Sequence, residues 1–311
     1  MIDRPQSGLT GNRMSPVSTE TDSGTAARIG VLLVGHGTRD EVGTREFRQL
    51  GEVLQKQLAP IPVVACLLEF QQPSIRQAWD TLIGQGVRDV RVAPLLLFAA
   101  GHAKQDIPDA IRRCLAETTN SPMSPERVPM SSQLVGPLND ASVIRTTQSA
   151  PLSRHPALVR LLLQRISETA RRRQCIVADS ALVMVGRGSR APCATADMRV
   201  LSELVRSRLG FEDVATAFYA MADPRLPDVL DQVAETTRRS TVIVQPHLLF
   251  DGRLYQAIAQ QVAEANERHP GIHFELSRYL GPNPLIAEAI AARACETDSR
   301  TSLRFRGCRD T

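Results

Sequence analysis

The 311-residue sequence predicts a duplicated α/β architecture with one parallel sheet in each copy. Three observations carry this expectation. A nine-residue stretch recurs at an offset of 151 residues, short apolar segments alternate with helical periodicities, and the same alternation follows both copies of the stretch. Self-similarity at a fixed spacing marks a repeated structural unit.

The first copy opens on Val31-Leu32-Leu33-Val34-Gly35-His36-Gly37-Thr38-Arg39, which matches Leu182-Val183-Met184-Val185-Gly186-Arg187-Gly188-Ser189-Arg190. The next helix follows at the same offset: Phe47, Leu50, Val53, Leu54 and Leu58 fall on Met198, Leu201, Leu204, Val205 and Leu209. A third element aligns Pro73, Ile75, Ala78, Trp79 and Leu82 with Pro224, Leu226, Val229, Leu230 and Val233. After a one-residue gap, Val92-Ala93-Pro94 and Phe98 meet Val244-Gln245-Pro246 and Phe250. Ile29–Val34, Val63–Leu68 and Val90–Phe98 are short, apolar and rich in Val and Leu, as strands buried on both faces should be. The apolar spacings from Phe47 to Leu58 and from Ile75 to Ile83 read as helices, the second starting just after Pro73. Such βαβα order implies a parallel sheet with helices on both faces, and ligands of such sheets bind at the carboxyl ends of the strands.

The copies are expected at residues 28–170 and 178–296, flanked by a disordered leader over 1–27 and a polar tail over 297–311. Residues 117–150 are rich in Ser, Thr and Pro, have no counterpart of that length in the second copy, and read as a mobile surface loop. The match resumes where Pro151-Leu152-Ser153-Arg154-His155-Pro156 meets Tyr279-Leu280-Gly281-Pro282-Asn283-Pro284.

Composition narrows the function classes. Apolar residues make up 42% and charged residues 23%, ordinary for a globular protein. No apolar run approaches the ~18–20 residues a membrane span needs, and the leader lacks a secretory apolar core, so a cytoplasmic protein with no membrane partner is expected. The net charge of +4 comes without a basic stripe interleaved with aromatics, which are only 4% of the chain; this argues against nucleic acid. Arg171-Arg172-Arg173 reads as a solvated helix end. The six cysteines form no CxxC pair and are expected to be reduced thiols.

His36, Glu69 and His102 stand just after three strands of the first copy, so all three should gather at one sheet edge. Two imidazoles and a carboxylate suit a borderline divalent metal with positions open for a substrate. Gly35, Gly37 and Gly101 flank the histidines and permit tight turns. A glycine-rich turn could equally cradle a phosphate, although no GxGxxG or Walker pattern is present. In the second copy His36 becomes Arg187, Glu69 becomes Ala220 and His102 becomes Arg253, while the apolar framework persists. One copy is thus expected to carry a metal set that the other has lost. Asp106 reads as either an orienting group or a helix cap, His247 as either a packed loop residue or a group facing the cleft, with the packed reading favoured, and His155, His269 and His273 as structural or surface groups.

Gly35-His36-Gly37-Thr38-Arg39, Leu68-Glu69-Phe70-Gln71-Gln72-Pro73-Ser74-Ile75 and the stretch from Pro94 to Pro108 containing Gly101-His102 resemble the class II chelatases. More narrowly they are similar to sirohydrochlorin cobaltochelatases and the related ferrochelatases of sirohaem synthesis, over most of residues 28–295. The resemblance implies two flavodoxin-like halves, related by a pseudo-two-fold around a central cleft that holds a tetrapyrrole. It implies that His36 and His102 bind the metal, that Glu69 assists, and that one long chain supplies both halves as a monomer. The metal would be a substrate, Co²⁺ foremost with Fe²⁺ or Ni²⁺ as alternatives, and no organic cofactor is implied. No His-rich storage tract is present. Metal insertion must remove two pyrrole protons, so His36 and His102 are expected to work as neutral imidazoles and to fail at acid pH. Arg39, Lys104, Arg187 and Arg253 are the expected partners of the carboxylate arms. Fe²⁺ insertion and a non-catalytic metal or tetrapyrrole carrier are the competing readings.

Overall fold

Each copy of the repeated stretch becomes the second-in-order strand of its own sheet. The computed structural model describes residues 27–98, 105–119, 133–135 and 143–296. The first half runs β1 (Ile29–Gly35), α1 (Glu41–Leu58), β2 (Val63–Leu67), α2 (Ile75–Gly84), β3 (Asp89–Pro94), α3 (Ile107–Thr119), β4 (Gln133–Val135), β5 (Arg145–Gln148) and α4 (Pro156–Arg173). The second runs β6 (Ala181–Gly186), α5 (Pro192–Leu209), β7 (Val214–Phe218), α6 (Leu226–Thr236), β8 (Thr241–Pro246), α7 (Arg253–Arg268), β9 (His273–Leu276) and α8 (Pro284–Cys295). Strand orders are β2-β1-β3-β5-β4 and β7-β6-β8-β9, so the two-repeat α/β class expected from the sequence holds. Among the described residues, no helix is long and apolar enough to cross a membrane.

Alternation along the leading strands assigns the layers. Val31 and Leu33 of β1, with Leu182 and Met184 of β6, face a central core shared by both halves. Leu32 and Val34 face an outer core built with Trp79, Leu82 and Leu115, and Val183 and Val185 face its counterpart with Leu226, Leu230 and Ile258. Helix starts follow local chemistry: Asp40 accepts from the Val42 N–H at 2.8 Å, and Ser74 forms a capping box with Gln77.

Two features depart from the sequence expectation. Residues 117–150 are not simply a surface loop, because they contain the end of α3, the short β4 and β5. Arg145-Thr146-Thr147-Gln148 is polar and therefore unlike a buried strand in sequence, yet it pairs in parallel with β3, and Thr146 and Thr147 are buried. The first sheet is also not wholly parallel, since β4 pairs antiparallel with β5 at its edge. A further arrangement was not visible in the sequence: the last helix of each half packs against the other half. Helix α4 lies on β8 and α5, while α8 lies on β3 and α1. Arg165 donates to the Leu280 carbonyl at 3.1 Å, and Arg160 pairs with Glu288 at 2.5 Å across this junction. The leader to residue 26, the tail from 297, His102, Lys104 and most of 120–142 lie outside the described residues.

Candidate active site

The turn after β1 is shaped by two glycines. Gly35 lets the Phe47 ring approach to where a Cβ would sit 2.6 Å away, and Gly37 has φ +95° with a hypothetical Cβ 2.0 Å from the Glu69 carbonyl oxygen. The β1–β2 pairing therefore continues past both strands: Leu68 N–H donates to Gly35 O at 2.9 Å and Glu69 N–H to His36 O at 3.1 Å. The second half repeats this geometry, with Gly188 at φ +88° against the Ala220 oxygen and Ala220 N–H donating to Arg187 O at 2.9 Å. His36 and Arg187 thus occupy equivalent turns at the carboxyl edges of facing sheets.

These edges enclose a cavity of about 430 Å³, within the range of small-molecule sites. The first half contributes His36, Leu95 to Phe98 and Asp106, and the second contributes Arg187, Ser189, Met198, Phe218 and His247. His36 is half-buried, and its Nδ1 lies 3.1 Å from the Gly37 carbonyl. A proton on Nδ1 would be held there.

A second cavity of about 470 Å³ adjoins the first and is lined by Glu69, Arg76, Asp106, Arg113 and Glu117. Asp106 lines both spaces. The structure therefore brings the backbones of His36 and Glu69 into contact, while the Glu69 side chain is exposed on the neighbouring cavity. His102 and Lys104 lie outside the described residues, and among the described residues no three His, Cys, Asp or Glu side chains converge as a metal cage.

The expected substrate-binding cations separate. Arg187 is exposed and lines the central cavity. Arg39 lies over the Phe70 ring, 5.0 Å from its centroid, and Arg253 is an exposed residue in the first turn of α7, outside the lining of the central cavity. His155 is structural, its Nδ1 accepting from the Ala157 N–H at 3.3 Å to cap α4. His269 pairs with Asp231 at 2.8 Å.

The sequence left His247 between a packed loop residue and a group facing the cleft, and the structure shows it to be both buried and on the cavity lining. It is 2% exposed, its two ring nitrogens have no hydrogen-bond partner among the described residues, and burial alone pushes its pKa down to about 3. Its ring centroid is 5.1 Å from that of Phe98, and it lines the central cavity. The signal was present in the repeat alignment, where His247 falls on Leu95, a buried apolar position.

Two α/β repeats that face each other, and close a cavity between a histidine turn and an arginine turn, define a two-repeat cleft protein. The family model described as CbiX matches residues 30–169 and again 181–297, and the chain belongs to that family. It is 31% identical over 262 residues to a sirohydrochlorin ferrochelatase of Priestia megaterium, covering 84% of this chain and 87% of the relative. It is 28% identical over 267 residues to a sirohydrochlorin cobaltochelatase of the same organism, covering 86% and 79%. Among solved structures, SirB from Bacillus subtilis with Fe³⁺ shares the fold at a TM-score of 0.72 and 24% identity, covering 88% of this chain and 96% of that one. The sirohydrochlorin chelatase SirB of Bacillus subtilis subspecies spizizenii, in complex with cobalt, matches at 0.67 and 25% identity, covering 87% and 95%.

Proposed function

We propose that this chain inserts a divalent metal ion, cobalt foremost, into a tetrapyrrole of the sirohydrochlorin type. The observation that carries the reading is that His36 and Arg187 line one cavity: an imidazole able to hold a soft or borderline ion shares it with a guanidinium able to hold a carboxylate arm. Family membership and the activities named for the relatives support it.

In this reaction the metal is a substrate. The ion loses water and bonds to the four ring nitrogens, two pyrrole N–H bonds break, and two protons leave. His36, on the cavity lining, is the proposed ligand of the incoming ion or acceptor of a departing proton. His102 is the proposed second ligand, Glu69 the assisting carboxylate, and Arg187 with Arg39, Lys104 and Arg253 the grip on the acidic arms. One chain supplies both walls, so the working unit is a monomer acting in the cytoplasm, with no membrane, nucleic-acid or organic-cofactor requirement. Iron is the second reading, because a relative above 30% identity is a ferrochelatase.

The test is an absorbance assay with sirohydrochlorin and Co²⁺, Fe²⁺ or Ni²⁺ in parallel. Insertion fastest with Co²⁺ is expected, and His36→Ala should slow it about a hundredfold or more. Faster Fe²⁺ insertion would transfer the assignment to iron, and no acceleration with any ion would make the chain a carrier.

A further inference from the structure

The second half holds an imidazole where the first holds an aliphatic side chain. The backbone N–H of Leu95 donates to Val34 O and that of His247 to Val185 O, each at 2.8 Å, so the two residues share one register in the repeated fold. Leu95 is buried there, which shows that leucine packs well at this position. His247 is buried too, yet both of its ring nitrogens lack partners among the described residues. An orphaned polar group of this kind costs stability, and the sister repeat displays the less costly alternative. Retaining the imidazole makes physical sense where a ligand supplies the missing hydrogen bond.

The chemistry of that ligand is constrained. Desolvation keeps the ring neutral, so one nitrogen carries a proton to donate and the other is an acceptor that needs a donor. Leu248, Met198 and Phe218 line the same cavity and offer no donor, and Arg187, Ser189 and Thr195, which also line it, make no hydrogen bond to the ring. A metal-free tetrapyrrole brings inner N–H donors, whereas its metallated form has exchanged them for the ion. We infer that His247 accepts a hydrogen bond from an inner pyrrole N–H of the metal-free macrocycle, so that the second half distinguishes substrate from product and favours release after insertion. This rests on the function proposed above. The imidazole reaches the macrocycle by turning from, or displacing, the Phe98 ring that now lies 5.1 Å from it.

The experiment is equilibrium titration of the full chain with sirohydrochlorin and with cobalt-sirohydrochlorin, followed by absorbance. Wild type should bind the metal-free ring about tenfold more tightly than the product. His247→Leu, which copies the side chain of Leu95, should melt no lower than wild type, bind the metal-free ring about tenfold more weakly and bind product unchanged. His247→Gln, which keeps an acceptor, should recover part of the preference. An identical substrate-to-product ratio in wild type and His247→Leu overturns the inference while leaving metal insertion standing. Binding of neither macrocycle by wild type overturns both readings.

Discussion

His36 and His247 line one cavity under opposite conditions: the first is half-buried with a nearby carbonyl partner, the second is closed off with no partner among the described residues. The first was legible in the sequence because Gly-His-Gly becomes Gly-Arg-Gly in the other repeat, a change of chemistry on a constant backbone. The second was only half legible: the repeat alignment sets His247 against the apolar Leu95, but one histidine among apolar residues reads alike whether it is packed or orphaned, and only the structure shows both ring nitrogens without partners among the described residues. His247 also has a consequence for stability. In the unfolded chain its pKa is near the ordinary 6.5, while in the folded chain burial holds it down to about 3. Above pH 6.5 neither state carries the proton and the residue contributes no slope. As pH falls below 6.5 the unfolded chain takes up a proton that the folded chain refuses, so stability is lost by about 1.4 kcal/mol per pH unit down to about pH 3. Urea unfolding at pH 7 and pH 5 should therefore show about 2 kcal/mol less acid loss in His247→Leu than in wild type. Equal losses in both proteins would mean the imidazole takes its proton while folded.

At the scale of elements, the leading strands, their helices and the duplication were readable because apolar period and glycine-marked turns coincide in both copies. β5 escaped because its burial is achieved with Thr146 and Thr147 rather than with aliphatic residues. The exchange of α4 and α8 escaped for another reason: an amphipathic helix declares that one face is buried, and not which sheet buries it. The strand-end turns are where element geometry meets chemistry. A Cβ at Gly37 would force apart the backbones of His36 and Glu69, the two sequence-predicted groups that the fold demonstrably brings together. Gly37→Ala, strained by its positive φ and by the Glu69 oxygen, should cost on the order of 2–4 kcal/mol and lower metal insertion further than the stability loss explains. The two readouts are the urea midpoint and the insertion rate at a temperature where the variant is fully folded. Retention of the wild-type rate would separate the turn from the chemistry.

For the whole molecule, the decisive fact is that neither half owns its complete core. The central cluster mixes Leu33, Leu54 and Leu158 with Met184, Leu201 and Ile286, and the exchanged helices make each sheet depend on the other half's chain. A polar clasp between the halves adds to this. Buried Glu46 of α1 accepts from the Tyr279 hydroxyl at 2.6 Å and from the Asp251 N–H at 2.9 Å, tying the helix that follows the His36 turn to the loop that precedes α7. The halves should therefore unfold together, although 311 residues in two repeats would ordinarily permit separate transitions. The single tryptophan makes this measurable. Trp79 sits in the outer core of the first half alone, so its fluorescence reports that half, while far-UV circular dichroism reports both. Coincident urea midpoints from the two probes are expected for wild type. Glu46→Ala leaves a buried hydroxyl and a backbone N–H without their charged acceptor, and should lower the common midpoint by about 2–4 kcal/mol of stability. Because the clasp is only one of several links, the two probes should still coincide in that variant. Midpoints that diverge in wild type would show that the halves fold independently, and the cleft would then be a joint between two bodies instead of the shared interior of one.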